Sequence, residues 1–103
     1  MKVYAVDFDG TLCTEAYPEI GKPIHKTIAM CNKLQREGHK LILWTCREGK
    51  DLQEAIDFCR QYGLTFDAVN ANLPERVKQY NADPRKIGAD YYIDDRNILP
   101  QSL

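Results

Sequence analysis

The hydrophobic pattern of the chain contains four short apolar runs, each about as long as a buried β-strand. Polar or Gly-containing turns bound them, and they predict strands at residues 2–6, 40–45, 66–70 and 89–93. The first run, Lys-Val-Tyr-Ala-Val, stops at an acidic turn that contains Gly10, and the third run is the weakest of the four. The chain therefore carries the pattern of a small sheet.

The segments between these runs carry apolar residues at helical spacing. The first predicted helix covers residues 23–37: Pro23 suits a first turn because its missing N–H would be unpaired there, and Gly38 closes the pattern. A second helix is predicted over residues 51–62, and a short third one within residues 73–80. Helices thus separate each pair of consecutive strands.

The alternation of strand and helix predicts an α/β fold, namely a doubly wound, Rossmann-like parallel sheet with helices on both faces, because parallel strands need crossover connections. A chain of 103 residues has room for one core, so we expect a single domain over residues 1–103. Ligands bind such sheets at the carboxyl ends of the strands. Those ends carry Asp7, Thr45, Asn70 and Asp94.

Charge and cysteine content narrow the classes of function. The 14 Lys and Arg residues nearly balance the 15 Asp and Glu residues, so the net charge does not attract nucleic acid or an anionic membrane. Any affinity for phosphate must therefore come from a local group of residues. The apolar start of the chain is shorter than a signal peptide, and no segment approaches the ~20 apolar residues that cross a bilayer. Four cysteines without a CxxC pair favour reduced thiols and a cytoplasmic location.

Two pairs of carboxylates provide the candidate chemistry. Asp7 and Asp9 follow the first predicted strand, and Asp94 and Asp95 follow the fourth. If those strands are neighbours the carboxylates converge, and like charges at ~4 Å repel by about 1 to 4 kcal/mol. A hard divalent cation such as Mg²⁺ neutralises such a cluster and also binds substrate phosphate.

Asp7-Phe-Asp-Gly-Thr-Leu resembles the first signature of the haloacid-dehalogenase-like (HAD) superfamily. Thr45 after an apolar strand resembles the second motif, Lys86 the third, and Ile93-Asp94-Asp95 the fourth. These motifs span nearly the whole chain in the order of the family. The resemblance implies a doubly wound core in which the strands before the first and fourth motifs are adjacent.

By this resemblance the chain is a phosphatase that hydrolyses phosphate monoesters. Asp7 would be the nucleophile that forms an aspartyl-phosphate, and Asp9 the general acid and then base. Thr45 and Lys86 would bind the phosphoryl oxygens, with Arg85 and Lys78 as alternatives for the third motif. Independently of the family, Arg47 could grip an anionic group by a bidentate contact, or simply lie on the surface.

The resemblance also implies a magnesium site. The ligands would be the Asp7 carboxylate, the backbone carbonyl of Asp9, and Asp94, with Asp95 bound directly or through water. In this family a cap inserted near the first motif or between the second and third selects the substrate. Residues 13–22 and 71–84 are too short for a cap domain, so an open site is expected.

An open site suits a large phosphorylated substrate, or a homo-oligomer in which another subunit supplies the lid. Residues 89–96 also resemble the fourth-motif region of small deoxyribonucleotidases, which points to nucleotides as substrates.

Two other classes of function remain open: a receiver-like phosphoacceptor domain and a catalytically silent magnesium-binding module. A receiver carries its phosphorylated Asp after a middle strand, whereas Asp7 follows the first predicted strand.

Overall fold

The computed structural model describes residues 1–102 and contains the predicted alternation of strands and helices. The elements are β1 Val3–Val6, α1 His25–Arg36, β2 Lys40–Leu43, α2 Gly49–Gln61, β3 Ala68–Val69, α3 Pro74–Tyr80, β4 Tyr91–Ile93 and a closing 3₁₀ helix, Pro100–Ser102.

The four strands form one sheet in the order β3-β2-β1-β4, and all pairings are parallel. In the register of the sheet, Val6 of β1 lies beside Leu43 of β2 on one side and Ile93 of β4 on the other. The expected adjacency of the first and fourth strands is therefore confirmed. It aligns the carboxyl ends of β2, β1 and β4, and the candidate site residues Thr45, Asp7 and Asp94 follow these ends.

Apolar residues pack on both faces of the sheet, because alternate strand residues point to opposite sides. The core on one face includes Val6, Leu41 and Leu43 with Ile28 and Cys31 of α1 and Ala55 and Cys59 of α2. The core on the other face is smaller and consists of Val3, Ala5, Ile42, Leu73 and Ile87. The doubly wound α/β class is thus the observed one.

The ends of several elements differ from those predicted. Pro23 lies outside α1 and pairs in an isolated β-bridge with Cys13, and the amide of Ile24 donates to the carbonyl of Leu12 at 2.9 Å. These bonds hold the segment before α1 extended, so the helix begins at His25. Strand β2 ends at Leu43, and beyond it the Thr45 amide donates to the side chain of Asn70 instead of to a strand carbonyl.

Within residues 1–102 no segment forms a separate cap domain: residues 13–22 make a loop, and residues 71–84 contain only the short helix α3. In the same range, no helix has both the length and the apolar character needed to cross a membrane.

Candidate active site

Asp7 and Asp94 emerge side by side from the carboxyl ends of β1 and β4. The amide of Asp7 donates to the carbonyl of Ile93 at 2.9 Å, which extends the strand pairing by one residue. Gly10 makes the turn that follows, with φ of +84°. A Cβ at this position would collide with the carboxylate of Asp95, so Gly10 allows the first and last motifs to approach closely.

Three carboxylates form a compact acidic cluster at this edge of the sheet. Asp7, Asp94 and Asp95 each present one oxygen, and the three oxygens lie within 4.8 Å of one another. Burial first, and then the negative charge of Asp94, raise the pKa of Asp7 from 3.8 to about 7. Three carboxylate oxygens in this arrangement form a donor set of the kind that hard divalent cations bind.

Thr11 connects the two halves of this cluster. Its hydroxyl donates to Oδ2 of Asp7 at 3.1 Å and accepts from the backbone amide of Asp95 at 3.0 Å. The side chain is almost completely buried, so neither bond is replaced readily by water. Thr11 was not singled out from the sequence, although its place four residues after Asp7 in the first motif was a usable signal.

The carboxylate of Asp9 is not part of the acidic cluster and pairs with Arg47. Nε and Nη2 of Arg47 each donate to one Asp9 oxygen at 2.8 Å. The Arg47 side chain is 0% exposed, and its remaining N–H groups donate to backbone carbonyls. Arg47 therefore has no donor available for phosphate in this arrangement, contrary to the phosphate contact expected from the sequence.

Thr45 lies beyond the end of β2, beside the acidic cluster, and Asn70 holds it there. The Thr45 amide donates to Oδ1 of Asn70 at 2.8 Å, and Nδ2 of Asn70 donates to the carbonyl of Arg47 at 3.4 Å. Asn70 adopts a left-handed backbone conformation with φ of +50°, which Asn tolerates better than most residues. Asn70 thus supports the Thr45 loop from the end of β3.

The predicted residues Asp7, Asp9, Thr45, Arg47 and Asp94 line one cavity of about 370 Å³. The sequence analysis missed the other lining residues, which are Glu15, Tyr17, Cys46 and Arg96. Arg96 directly follows the Asp94-Asp95 pair, and this position was the available signal for it. Nothing in the sequence pattern of residues 13–22 marked Glu15.

Among the residues that the structure describes, the basic candidates for the third motif do not line this cavity. The ammonium of Lys86 lies 5.9 Å from the ring centroid of Tyr92. Arg85 lines a separate cavity with Trp44 and Asn70, and Lys78 is exposed on α3. A phosphate contact from Lys86 therefore stays a prediction, and it would require the side chain to leave the Tyr92 ring.

Comparison with protein families identifies the wider group. A family model described as haloacid dehalogenase-like hydrolase matches residues 4–72, a span that includes Asp7, Asp9 and Thr45. The chain belongs to the haloacid dehalogenase-like hydrolases. The match covers β1 except for Val3, the next two strands and the first two helices. It ends before Asp94 and Asp95, whose place in the site rests on the geometry of the structure.

A solved structure is similar in fold to this HAD-like chain. It is a conserved protein from Bacteroides thetaiotaomicron that is 46% identical, with a TM-score of 0.84; the match covers 94% of this chain and 78% of the other. No curated protein matches the chain. Membership of the HAD-like hydrolases favours hydrolytic chemistry over the receiver-like alternative.

Proposed function

We propose that this HAD-like hydrolase is a magnesium-dependent phosphatase that cleaves phosphate monoesters through an aspartyl-phosphate on Asp7. The observation that carries the proposal is the convergence of Asp7, Asp94 and Asp95 at the carboxyl ends of two adjacent strands. Thr45 and the Asp9–Arg47 pair line the same cavity. Family membership supports the hydrolytic chemistry.

The donor set fits magnesium, because three carboxylate oxygens lie close together, and burial together with the charge of Asp94 raises the pKa of Asp7. Asp7, Asp94 and Asp95 would hold the ion, together with the backbone carbonyl of Asp9. The bound ion would supply positive charge that favours the ionised form of Asp7 and orients the substrate phosphate.

Asp7 carries the covalent chemistry. One of its carboxylate oxygens attacks phosphorus, the bond from phosphorus to the ester oxygen breaks, and the phosphoryl group is transferred to Asp7. The hydrogen bond from Thr11 to Oδ2 fixes the orientation of the Asp7 carboxylate during this step. Thr45, which lines the same cavity, donates to the phosphoryl oxygens as their charge develops.

Asp9 carries the proton transfers. It gives a proton to the departing alcohol oxygen, which leaves as a neutral alcohol, and it then takes a proton from the water that attacks the aspartyl-phosphate. The bond from phosphorus to Asp7 breaks in this second step, which releases inorganic phosphate and restores the Asp7 carboxylate and the protonated Asp9.

The substrate is a phosphorylated molecule reached through an open site. In the described part of the chain no cap domain lies over Asp7, so the proposal extends to large substrates such as nucleotides or phosphorylated macromolecules. A second copy of the chain lying over the cavity would be an alternative source of enclosure.

The experiment is a phosphate-release screen with and without magnesium across nucleotides, sugar phosphates, phosphopeptides and 3'-phosphorylated oligonucleotides. We expect release that depends on magnesium, is lost in Asp7→Asn, and falls by roughly 100 to 10,000-fold in Asp9→Asn. The surface variant Asp57→Asn is the matched control and should retain full activity. Hydrolysis by Asp7→Asn at the normal rate, or full activity with excess chelator, would exclude this mechanism.

A further inference from the structure

Arg47 is the largest completely buried side chain in the described part of the protein, and each of its polar hydrogens has a partner. Nε and one hydrogen of Nη2 bind the two oxygens of Asp9. The other Nη2 hydrogen donates to the carbonyl of Glu19 at 2.9 Å. Nη1 donates to the carbonyls of Pro18 at 3.2 Å and Asp51 at 3.3 Å.

Two aromatic rings complete the surroundings of this guanidinium. Its central carbon lies over the rings of Phe8 and Tyr17, 5.1 Å from each centroid. Phe8 is completely buried, whereas Tyr17 is 55% exposed and lines the cavity with Asp7. Arg47 therefore contacts both the residue next to the nucleophile and one wall of the cavity.

A buried guanidinium is stable only when its charge and its donors are satisfied, and an unpaired one costs several kcal/mol. The five N–H groups of an Arg side chain are all used here. A substrate anion could bind Arg47 only by displacing Asp9 or a loop carbonyl. The contacts of Arg47 are thus those of a residue that organises the site.

We propose that Arg47 is a positioning residue that acts through Asp9, and that it sets the cavity wall at Tyr17 through the same guanidinium. This inference rests on the proposed phosphatase function. The paired contacts fix both the direction and the plane of the Asp9 carboxylate, which a single contact cannot do. The carbonyls of Pro18 and Glu19 tie the Tyr17 loop to the same group.

The arrangement links proton transfer to the shape of the cavity. Both oxygens of Asp9 accept bonds from Arg47, so the guanidinium sets the orientation in which Asp9 meets the leaving group. Lys cannot reproduce the paired contact, since its ammonium is a point charge without a planar fork. Arg47→Lys therefore keeps the positive charge and removes the paired contact with Asp9.

The kinetic test is a double-mutant cycle over Asp9→Asn, Arg47→Lys and the combined variant. Each protein is assayed on an alkyl phosphate, whose leaving group needs a proton, and on 4-nitrophenyl phosphate, whose leaving group does not. We expect Arg47→Lys to lower kcat on the alkyl ester roughly 10 to 100-fold with little change in KM, and to have a much smaller effect on the nitrophenyl ester. In the Asp9→Asn background, Arg47→Lys should cost less than about threefold.

A ligand role for Arg47 gives a different result. If Arg47 bound the substrate phosphate, Arg47→Lys would raise KM on both esters. Alternatively, it would lower kcat on both esters by the same factor in the unaltered protein and in the Asp9→Asn background. Either outcome overturns the proposal. Arg60→Lys is the control, because Arg60 is an exposed Arg on the neighbouring helix α2. It should match the unaltered protein on both esters.

A second measurement needs neither phosphatase activity nor a folded Arg47 variant. Nitrogen-15 NMR should show an Arg47 Nε–H that exchanges slowly with water and stays unshifted when inorganic phosphate and magnesium are added. Asp9→Asn should remove the slow exchange. A phosphate-dependent shift of the Arg47 signal, or rapid exchange in the unaltered protein, would overturn the proposal. Absence of any phosphatase activity, by contrast, would refute the proposed function while leaving this test in force.

Discussion

Thr11 joins the first motif to the fourth through one hydroxyl, which donates to Asp7 and accepts from the amide of Asp95, 84 residues further along the chain. A neutral hydroxyl therefore bridges two residues of the acidic cluster. It orients the proposed nucleophile and fixes the loop that carries Asp95.

Thr11→Val should reduce activity while preserving the shape of the core. The variant leaves the Asp95 amide without its partner and Asp7 without its donor, and hydrogen bonds to charged groups contribute about 1.5 to 3 kcal/mol. We expect kcat to fall roughly 10 to 100-fold, on the basis that about 1.4 kcal/mol corresponds to a factor of ten. Thr11→Ser keeps the hydroxyl and serves as the control. A Val variant within threefold of the unaltered rate would contradict this role.

Asp94→Asn should weaken magnesium activation. Oδ1 of Asp94 accepts from the Arg96 amide at 2.9 Å, and Asn retains an oxygen for that bond while losing the negative charge. We expect the magnesium concentration for half-maximal activity to rise at least about tenfold, which corresponds to about 1.4 kcal/mol of binding free energy. Titration of activity with magnesium measures this shift. An unchanged midpoint would remove Asp94 from the metal site.

The pH dependence of stability should reveal the ionisation of Asp7. Burial and the charge of Asp94 raise the pKa of Asp7 from 3.8 to about 7 in the folded protein. Between pH 3.8 and about pH 7, Asp7 keeps a proton in the folded state that it has lost in the unfolded state. The stability that protonated Asp7 contributes is therefore complete below the lower value and is lost as the pH rises to about 7.

The corresponding measurement is Tm against pH in excess chelator for the unaltered protein and Asp7→Asn. The difference between the two Tm curves should change from about pH 4 to about pH 7 and then become constant, since only the unaltered protein titrates at this position. Asp57→Asn on the exposed face of α2 should follow the unaltered protein. Parallel curves for Asp7→Asn and the unaltered chain would show that Asp7 ionises normally.

The open cavity should limit the use of small substrates. Enzymes gain rate when remote parts of a substrate supply binding energy and when water is excluded, and no cap domain within residues 1–102 provides either effect. We expect weak, poorly selective hydrolysis of small activated esters. Catalytic efficiency over a metabolite panel, measured together with the mass in solution, checks this. A monomer that cleaves one small ester at about 10⁷ M⁻¹s⁻¹, high in the enzyme range, would contradict it.

The sequence by itself determined the type and order of the elements, and its resemblance to HAD-like proteins implied that the first and fourth motifs meet. The spacing of apolar residues that distinguishes a strand from a helix is a property of residues close together in the chain. The alternation of strands and helices then allows few arrangements of a parallel sheet. The predicted approach of Asp7 and Asp94 followed from these local patterns together with the resemblance to HAD-like proteins. Their strands are adjacent in the structure, and their carboxylates share one cluster.

Only the tertiary structure decided which partners the polar side chains take. Arg47 reads in the sequence as a surface residue or a phosphate ligand, yet it is buried against Asp9, 38 residues away, and against loop carbonyls 28 and 29 residues away. Asn70 likewise accepts a hydrogen bond from the amide of Thr45, which lies 25 residues away in the sequence. A polar side chain makes whatever hydrogen bonds the folded chain brings within about 3 Å, and local sequence carries no information about that distance.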